Sequence, residues 1–122
     1  MTPIICIGET AEEFKAQQTF AALDTQLNPI IAMLPANHPI IIAYEPVWAI
    51  GTGAIPTLEI LENCFSFLKK KLATVACEIT LLYGGSVNAK NASSLKQIPF
   101  LGGFLVGGAS LDFQEFKKIV EC

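Results

Sequence analysis

The sequence contains no arginine, since all eight of its basic residues are lysines. The formal charge is −3, and the pI lies near 5.0. Arginine supplies the bidentate contacts that read phosphates and base edges, and nucleic-acid-binding domains carry a basic surface. We therefore expect no nucleic acid among the partners of this protein.

Long apolar runs and paired cysteines are missing as well. No stretch reaches the roughly 20 apolar residues of a membrane helix, and "MTPIICIGETAEEF" lacks the basic start of a signal peptide. Neither a CxxC pair nor a nearby histidine accompanies the four cysteines, Cys6, Cys64, Cys77 and Cys122. This spacing argues against a metal site and favours free thiols in a reducing compartment. We expect a cytoplasmic protein with no membrane partner and no metal.

Hydrophobic residues make up 52% of the 122 residues, and charged residues only 16%. Such a composition is far from that of disordered segments and predicts a packed fold. The length suits one domain, because a single core is usually built from roughly 100 to 200 residues. Hence we expect residues 1–122 to form one continuous unit.

Four short apolar runs, at 3–8, 39–44, 78–83 and 103–106, predict strands of a parallel sheet. A helical pattern follows each run. The first covers 20–34, with an interruption or restart at Asn28-Pro29; the others begin at Thr57, Asn88 and about Asp112. Four strand-helix units in alternation indicate α/β architecture.

Glycine is concentrated where α/β proteins bind ligands, at the carboxyl ends of the strands. Seven of the nine glycines lie there: Gly8, Gly51, Gly53, Gly84, Gly85, Gly107 and Gly108. Two Gly-Gly pairs, in "YGGSV" and "LVGGAS", predict turns whose free N–H groups hold a phosphate at a helix N-terminus. A steric need for glycine is the alternative. Two pairs after the last two strands match the phosphate site of (β/α) barrels and favour the first interpretation.

A carboxylate follows the second strand in "AYEPVWAIGTG", residues 43–53. Glu45 stands at the end of this strand, and we expect Trp48 and Ile50 to shield it from water. A shielded carboxylate suits a general base. Taken alone, a glutamate after a strand is more often a structural or surface residue, so this role depends on the neighbouring motifs.

Four motifs in order, "PIICIGET", "AYEPVWAIGTG", "LYGGSVNAKNA" and "GFLVGGASLD", resemble the C-terminal half of triosephosphate isomerase. The resemblance runs from residue 3 to the end of the chain. It implies the C-terminal half, (βα)4, of a TIM (β/α)8 barrel, with residues 1–122 forming half of that domain. The implied reaction interconverts dihydroxyacetone phosphate and glyceraldehyde 3-phosphate, in glycolysis and gluconeogenesis, without a metal or organic cofactor.

The same resemblance implies the site residues. Glu45 corresponds to the base that moves a proton between two substrate carbons, and residues 46–54 correspond to a mobile lid. The phosphate ligands of the family correspond to Gly51, Ser86, Gly107 and Gly108. Cys6 and Glu9 match family positions near the site and are expected to support it.

Four positions depart from the family pattern, and one of them is Gly102, where an aspartate is common before the last strand. Phe14 stands where "GETLEER" has an arginine, and Ala54 replaces the lysine that many members carry at the tip of the lid. Pro56 has no backbone N–H, so a latch to it from the Tyr83 hydroxyl is not available.

A closed barrel takes about 250 residues and eight strands, and four strands are predicted here. The family's oxyanion-binding lysine and histidine have no counterpart in the sequence. We therefore expect the chain to need a complementary N-terminal half-barrel for activity, and the complete enzyme to be a homodimer. Without that half, the inward faces of strands 3–8 and 78–83 would be exposed. The alternatives are a non-catalytic, phosphate-binding half-barrel module, a self-associating structural fragment, or another barrel enzyme of phosphorylated substrates.

Overall fold

The computed structural model describes residues 1–34 and 38–122, which form four strands, five α-helices and two short 3₁₀ helices. The strands are β1 (Ile4–Ile7), β2 (Ile40–Tyr44), β3 (Ile79–Gly85) and β4 (Gly103–Val106). The α-helices are α1 (Ala11–Lys15), α2 (Thr19–Met33), α3 (Leu58–Lys71), α4 (Ala92–Leu95) and α5 (Phe113–Val120). The 3₁₀ helices cover Val47–Ala49 and Gly108–Leu111.

The four strands form one parallel sheet in the order β1-β2-β3-β4. Each strand is followed by helical structure before the next begins, which is the crossover that parallel neighbours require. In the register, Ile5 pairs with Ile42, which in turn pairs with Leu81. The predicted parallel α/β architecture is confirmed, and it is that of a half TIM barrel, (βα)4.

Two helices begin where the sequence predicted, and each has a side-chain cap, of which only the one at Thr57 was predicted as such. The Thr57 hydroxyl accepts from the N–H of Ile60 at the start of α3, and the Asp112 carboxylate accepts from Glu115 at the start of α5. Each cap satisfies a donor that the first helical turn leaves free. Lys69, Lys70 and Lys71 occupy the last turn of α3, where cations complement the helix dipole.

The other helices differ from the sequence-based expectation. Helix α2 continues through Pro29, although a proline inside a helix removes one internal hydrogen bond. Helix α4 has only four residues and begins after Asn91, not Asn88; the Asn88 side chain instead closes the preceding turn by accepting from the N–H groups of Lys90 and Asn91. Helix α1 was not predicted.

The hydrophobic core lies between the helices and one face of the sheet. Alternate strand residues point to that face, since the side-chain period of a strand is two residues. Its strand members are Ile7, Ile40, Ile42, Tyr44, Leu81 and Tyr83. Its helix members include Leu23 and Leu27 of α2, Leu61, Phe65 and Leu68 of α3, and Ile119 of α5.

The opposite face of the sheet is less covered, as expected for half a barrel. Ile4 is 49% exposed and Cys6 is exposed on β1, whereas Thr80 and Leu82 of β3 are half-buried. Strands β1 and β4 form the two edges of the sheet. Across residues 1–34 and 38–122, none of the helices has the length and apolar character that a membrane span requires.

Candidate active site

All five residues singled out in the sequence line one cleft of about 430 Å³, at the carboxyl ends of β2, β3 and β4. These are Glu45, Gly51, Ser86, Gly107 and Gly108. Ile50, Gly53, Gly85, Val87, Asn88, Leu105, Val106 and Ala109 complete the lining. The parallel sheet produces this convergence, because its strands all end on the same side.

Glu45 is held at the mouth of the half-barrel by the backbone and by its neighbours. Its N–H donates to the carbonyl of Ile7 at 2.7 Å, which extends the β1–β2 pairing by one residue. The side chain is half-buried and lies beside the Cys6 thiol. Loss of hydration, and then the Glu45 carboxylate, raise the pKa of this thiol, so it stays protonated and able to donate to Glu45.

Gly84 provides the space that the Glu45 side chain occupies. A Cβ at Gly84 would overlap the Oε1 atom of Glu45 and lie 2.9 Å from Cδ. The first Gly-Gly pair is therefore not the predicted turn: Gly84 and Gly85 are the last residues of β3, and α4 begins seven residues after Gly85. Glycine is needed here for a close approach, and not to expose amides at a helix N-terminus.

The segment after Glu45 has one ordered end and one open end. Pro46 is buried, and Val47–Ala49 form a 3₁₀ turn that returns the Ala49 N–H to the Pro46 carbonyl at 2.9 Å. Gly51 and Gly53 then adopt φ angles of 68° and 78°, a region that favours glycine. Residues 50–55 are all exposed. The architecture is thus a stiff hinge followed by a solvent-exposed tip.

Ser86 ties that tip to the loop after β3. Its hydroxyl donates to the carbonyl of Ala49 at 2.9 Å and accepts from the N–H of Gly53 at 3.1 Å. The Ser86 side chain thereby connects Ala49, at the ordered end of the segment, with Gly53, at its exposed end.

Gly107 and Gly108 form the far wall of the cleft. Gly107 follows β4, and Gly108 begins the 3₁₀ helix 108–111, whose turn is closed by the Ser110 N–H and hydroxyl, both donating to the Gly107 carbonyl. A Cβ at either glycine would meet no atom within 4 Å among the described residues. The backbone is therefore open to a ligand on this side.

Glu9 is more important to this region than the sequence alone suggested. It is completely buried, and its carboxylate accepts from the Trp48 indole N–H at 2.9 Å and from the Tyr44 hydroxyl at 3.1 Å. Its carbonyl also accepts from the Val47 N–H at 3.0 Å. The signal available in the sequence was a polar residue directly after a buried strand, combined with a single tryptophan whose N–H needs an acceptor.

The position of Trp48 corrects one expectation. Its ring does not line the cleft beside Glu45 but stacks on Phe14, with ring centroids 4.5 Å apart and planes 28° apart. Glu9 is the reason, because its buried carboxylate draws the indole N–H to the outer side of the sheet. Ile50 does line the cleft, although it is 49% exposed.

Two buried groups extend the Glu9 network inward. The Cys64 thiol donates to the Tyr44 hydroxyl at 3.5 Å, and that hydroxyl donates to Glu9. Burial raises the pKa of the Cys64 thiol to about 11, and burial also raises the pKa of Tyr44 well above its usual range. Both groups therefore stay neutral at physiological pH and act as hydrogen-bond donors.

The Tyr83 hydroxyl is buried, and no group among residues 1–34 and 38–122 forms a hydrogen bond with it. Burial raises the pKa of Tyr83 to about 12. Pro56 is buried as well and, because proline has no backbone N–H, it cannot donate a hydrogen bond to this hydroxyl.

The sequence model of the family described as "Triosephosphate isomerase" matches residues 1–122. A triosephosphate isomerase of Bdellovibrio bacteriovorus is 44% identical over 120 residues, which cover 98% of this chain and 50% of the relative. The Mycoplasmopsis agalactiae enzyme is 46% identical, covering 98% and 45%, and the Yarrowia lipolytica enzyme is 46% identical, covering 96% and 49%.

The chain thus spans about half the length of the curated relatives that it matches. The match nevertheless extends over every residue of the chain, and the sheet places the quoted motifs at one end of a half-barrel. On these grounds the chain belongs to the triosephosphate isomerase family.

Proposed function

We propose that this chain supplies the base and the phosphate site of a triosephosphate isomerase that interconverts dihydroxyacetone phosphate and glyceraldehyde 3-phosphate. The observation that carries the proposal is the shared cleft: the Glu45 carboxylate and the Gly107–Gly108 backbone line the same space of about 430 Å³. A cleft of this size has room for a small phosphorylated triose.

Glu45 acts as the base in this scheme. Its carboxylate takes a proton from the carbon beside the substrate carbonyl and returns it to the neighbouring carbon, so one residue serves both steps. The backbone N–H groups of Gly51, Gly107 and Gly108, together with Ser86, hold the phosphate. The lid, residues 46–54, closes over the substrate and excludes water, which protects the enediolate intermediate from losing phosphate. This chemistry requires neither a metal nor an organic cofactor.

Activity requires a complementary N-terminal half-barrel, supplied by a longer form of the same chain or by a second chain. The apolar surfaces that such a half would cover support this requirement. Ile4 on the open face of the sheet is 49% exposed, and Phe113 and Val120 of α5 are 73% and 68% exposed. Exposed apolar surface and unpaired strand edges favour association. Residues 1–122 then form half of one domain, and the complete enzyme is a cytoplasmic homodimer.

Reconstitution tests the proposal. The chain is co-expressed with the N-terminal half of the Bdellovibrio bacteriovorus relative, and isomerase activity is measured with glyceraldehyde 3-phosphate. We expect activity in the mixture, little activity in either half alone, and a loss of about 10²–10⁴ in kcat for Glu45→Gln. A reconstituted complex that retains full activity with Glu45→Gln would remove Glu45 from the role of base.

A non-catalytic phosphate-binding module is the second candidate. One observation favours it: among the described residues that line the cleft, Glu45 is the sole ionisable side chain, so no cationic donor for a developing oxyanion is present. Calorimetric titration of the 122-residue chain with phosphoglycolate distinguishes the two candidates. Affinity that persists in the reconstituted complex without any turnover would support the binding module.

A further inference from the structure

Phe14 contacts the stiff end of the lid. Its ring stacks on Trp48 at 4.5 Å with an interplanar angle of 28°, and both side chains are half-buried. Trp48 belongs to the 3₁₀ turn Val47–Ala49, which begins two residues after Glu45. Phe14 lines a groove of about 500 Å³ on the outer side of the sheet, separate from the cleft that holds Glu45.

Helix α1, which carries Phe14, has an ordered first turn. Helix α1 begins with a reciprocal capping box, in which the Thr10 N–H donates to the Glu13 carboxylate at 2.8 Å and the Glu13 N–H donates to the Thr10 hydroxyl at 3.2 Å. Such a box satisfies two free donors and orders the first turn of a helix. Because α1 starts directly after the buried Glu9, the position of Phe14 is fixed relative to the carboxylate that binds Trp48.

Glu9 and Phe14 constrain the indole in different ways. The hydrogen bond from Trp48 Nε1 to Glu9 fixes one atom of the ring but leaves the ring free to pivot about that atom. The stack on Phe14 fixes the plane of the ring. The bond from the Val47 N–H to the Glu9 carbonyl adds a backbone contact at the same point. Together these contacts define both the place and the orientation of the hinge.

We infer that Phe14 is a positioning residue for the lid hinge, acting through the ring of Trp48. It touches neither substrate nor base; it orients the hinge from which the exposed tip extends, where Gly51 and Gly53 have positive φ angles. The kinetic part of this inference rests on the proposed isomerase function, whereas its structural part does not.

The single tryptophan of the chain gives a direct spectroscopic readout, since Trp48 is the source of all indole fluorescence. The full 122-residue chain is studied as it purifies, and again with a partner half that lacks tryptophan. Phe14→Leu removes the aromatic stack on Trp48 but keeps an apolar side chain. Phe14→Tyr keeps the stack. Phe20→Leu is the matched control, because Phe20 stacks on Phe67 at 4.7 Å in the same groove without contacting Trp48.

We expect the acrylamide quenching constant of Trp48 to rise about twofold in Phe14→Leu, because the ring face that Phe14 covers becomes open to solvent. Phe14→Tyr and Phe20→Leu should match the unsubstituted chain. In the reconstituted enzyme, kcat should fall by a similar factor in Phe14→Leu alone.

Unchanged quenching in Phe14→Leu, or an equal rise in Phe20→Leu, would overturn the inference, because the effect would then be absent or reflect general loosening of the groove. An increase in quenching together with unchanged kcat in an active complex would also overturn it. Failure of the isomerase proposal would be seen separately, as a complex with no turnover before any substitution at Phe14, and the quenching comparison would still decide whether Phe14 positions the hinge.

Discussion

The Glu45 carboxylate lies directly against the α-carbon of Gly84, so close that a methyl group on Gly84 would overlap Oε1. Glu45 follows β2, and Gly84 lies near the end of its neighbour β3. Because Gly84 of β3 has no side chain, there is space for the carboxylate of the proposed base, Glu45, which follows β2. This relationship separates the placement of the carboxylate from the stability of the sheet, because the atoms that a new methyl group would displace belong to a movable side chain.

Gly84→Ala should move the Glu45 carboxylate and leave the fold largely intact. In the reconstituted enzyme we expect kcat to fall by about 10²-fold or more, since displacement of a catalytic group by roughly 1 Å has effects of this size. Thermal unfolding should change little. Gly103→Ala is the control, because its methyl group would contact only the Leu82 Cδ2 atom, at 3.2 Å. Equal activity of the two variants would contradict this placement of the base.

Ser86→Ala should weaken the connection between the lid and the loop after β3. The substitution removes the hydrogen bonds to the Ala49 carbonyl and from the Gly53 N–H, which together contribute about 1–2 kcal/mol. We expect kcat/KM to fall about 5- to 30-fold. Limited proteolysis should cut near residues 50–54 faster than in the exposed control Ser93→Ala. Identical cleavage rates would argue that Ser86 does not restrain the lid.

Substitutions at Gly107 should weaken phosphate binding more as the new side chain becomes larger. A Cβ at this position meets no described atom within 4 Å, so the fold can accept a side chain that then occupies the cleft. We expect Gly107→Ala to weaken phosphoglycolate binding about tenfold and Gly107→Val to abolish it, with oligomeric state unchanged by size-exclusion chromatography. Calorimetry that gives the same Kd for both variants would place the phosphate elsewhere.

Tyr83→Phe should stabilise the protein or leave its stability unchanged. The hydroxyl is buried and, within residues 1–34 and 38–122, has no hydrogen-bond partner, so the folded state bears its desolvation cost. We expect the free energy of unfolding to rise by about 1 kcal/mol in urea titrations, with the same m-value. A loss of more than about 1 kcal/mol would mean that the hydroxyl has a partner in the folded protein.

Stability should fall as the pH rises from about 9 to 11, in part because of Cys64. Burial, and to a smaller extent the Glu9 carboxylate, raise the pKa of this thiol from 9.0 to about 11. Between these values the unfolded chain has lost the thiol proton and the folded chain has kept it, so increasing pH favours unfolding. The free energy of unfolding, measured with a chemical denaturant, should fall between pH 8.5 and pH 10.5. This fall should be smaller by about 2 kcal/mol in Cys64→Ala than in the unsubstituted chain. Equal differences in the two proteins would exclude Cys64 as a source.

Much of the fold was predictable from local sequence signals. The short apolar runs predicted all four strands, the cap Thr57 predicted the start of α3, and the apolar pattern from about Asp112 predicted α5, because these signals act over a few neighbouring residues. Helix α1 could have been found by the same reasoning, since Thr10 and Glu13 have the spacing of a capping box. The interruption expected at Pro29 was wrong, because packing of Leu23 and Leu27 against the sheet holds α2 together.

The sequence singled out residues that the structure brings to one cleft, but it did not predict their contacts. Five of the thirteen residues that line the cleft were singled out from glycine placement and from the family resemblance, and their roles stay proposals. The direction of the Trp48 ring was not predictable, because it depends on Glu9, which lies 39 residues earlier in the sequence. The use of Gly84 was missed for the same reason, since a close approach between strands has no local signal.

The sequence by itself determined the alternation of strands and helices, the clustering of glycines after the strands, and the family, because each depends on residues close together in the chain. Only the tertiary structure decided the direction of the Glu45 and Trp48 side chains. Parallel pairing of β2 with β3 puts the Glu45 side chain over Gly84, and burial of Glu9 turns Trp48 away from the cleft and onto Phe14. These outcomes depend on where distant segments meet, and packing likewise leaves the buried Tyr83 hydroxyl without a hydrogen-bond partner among residues 1–34 and 38–122.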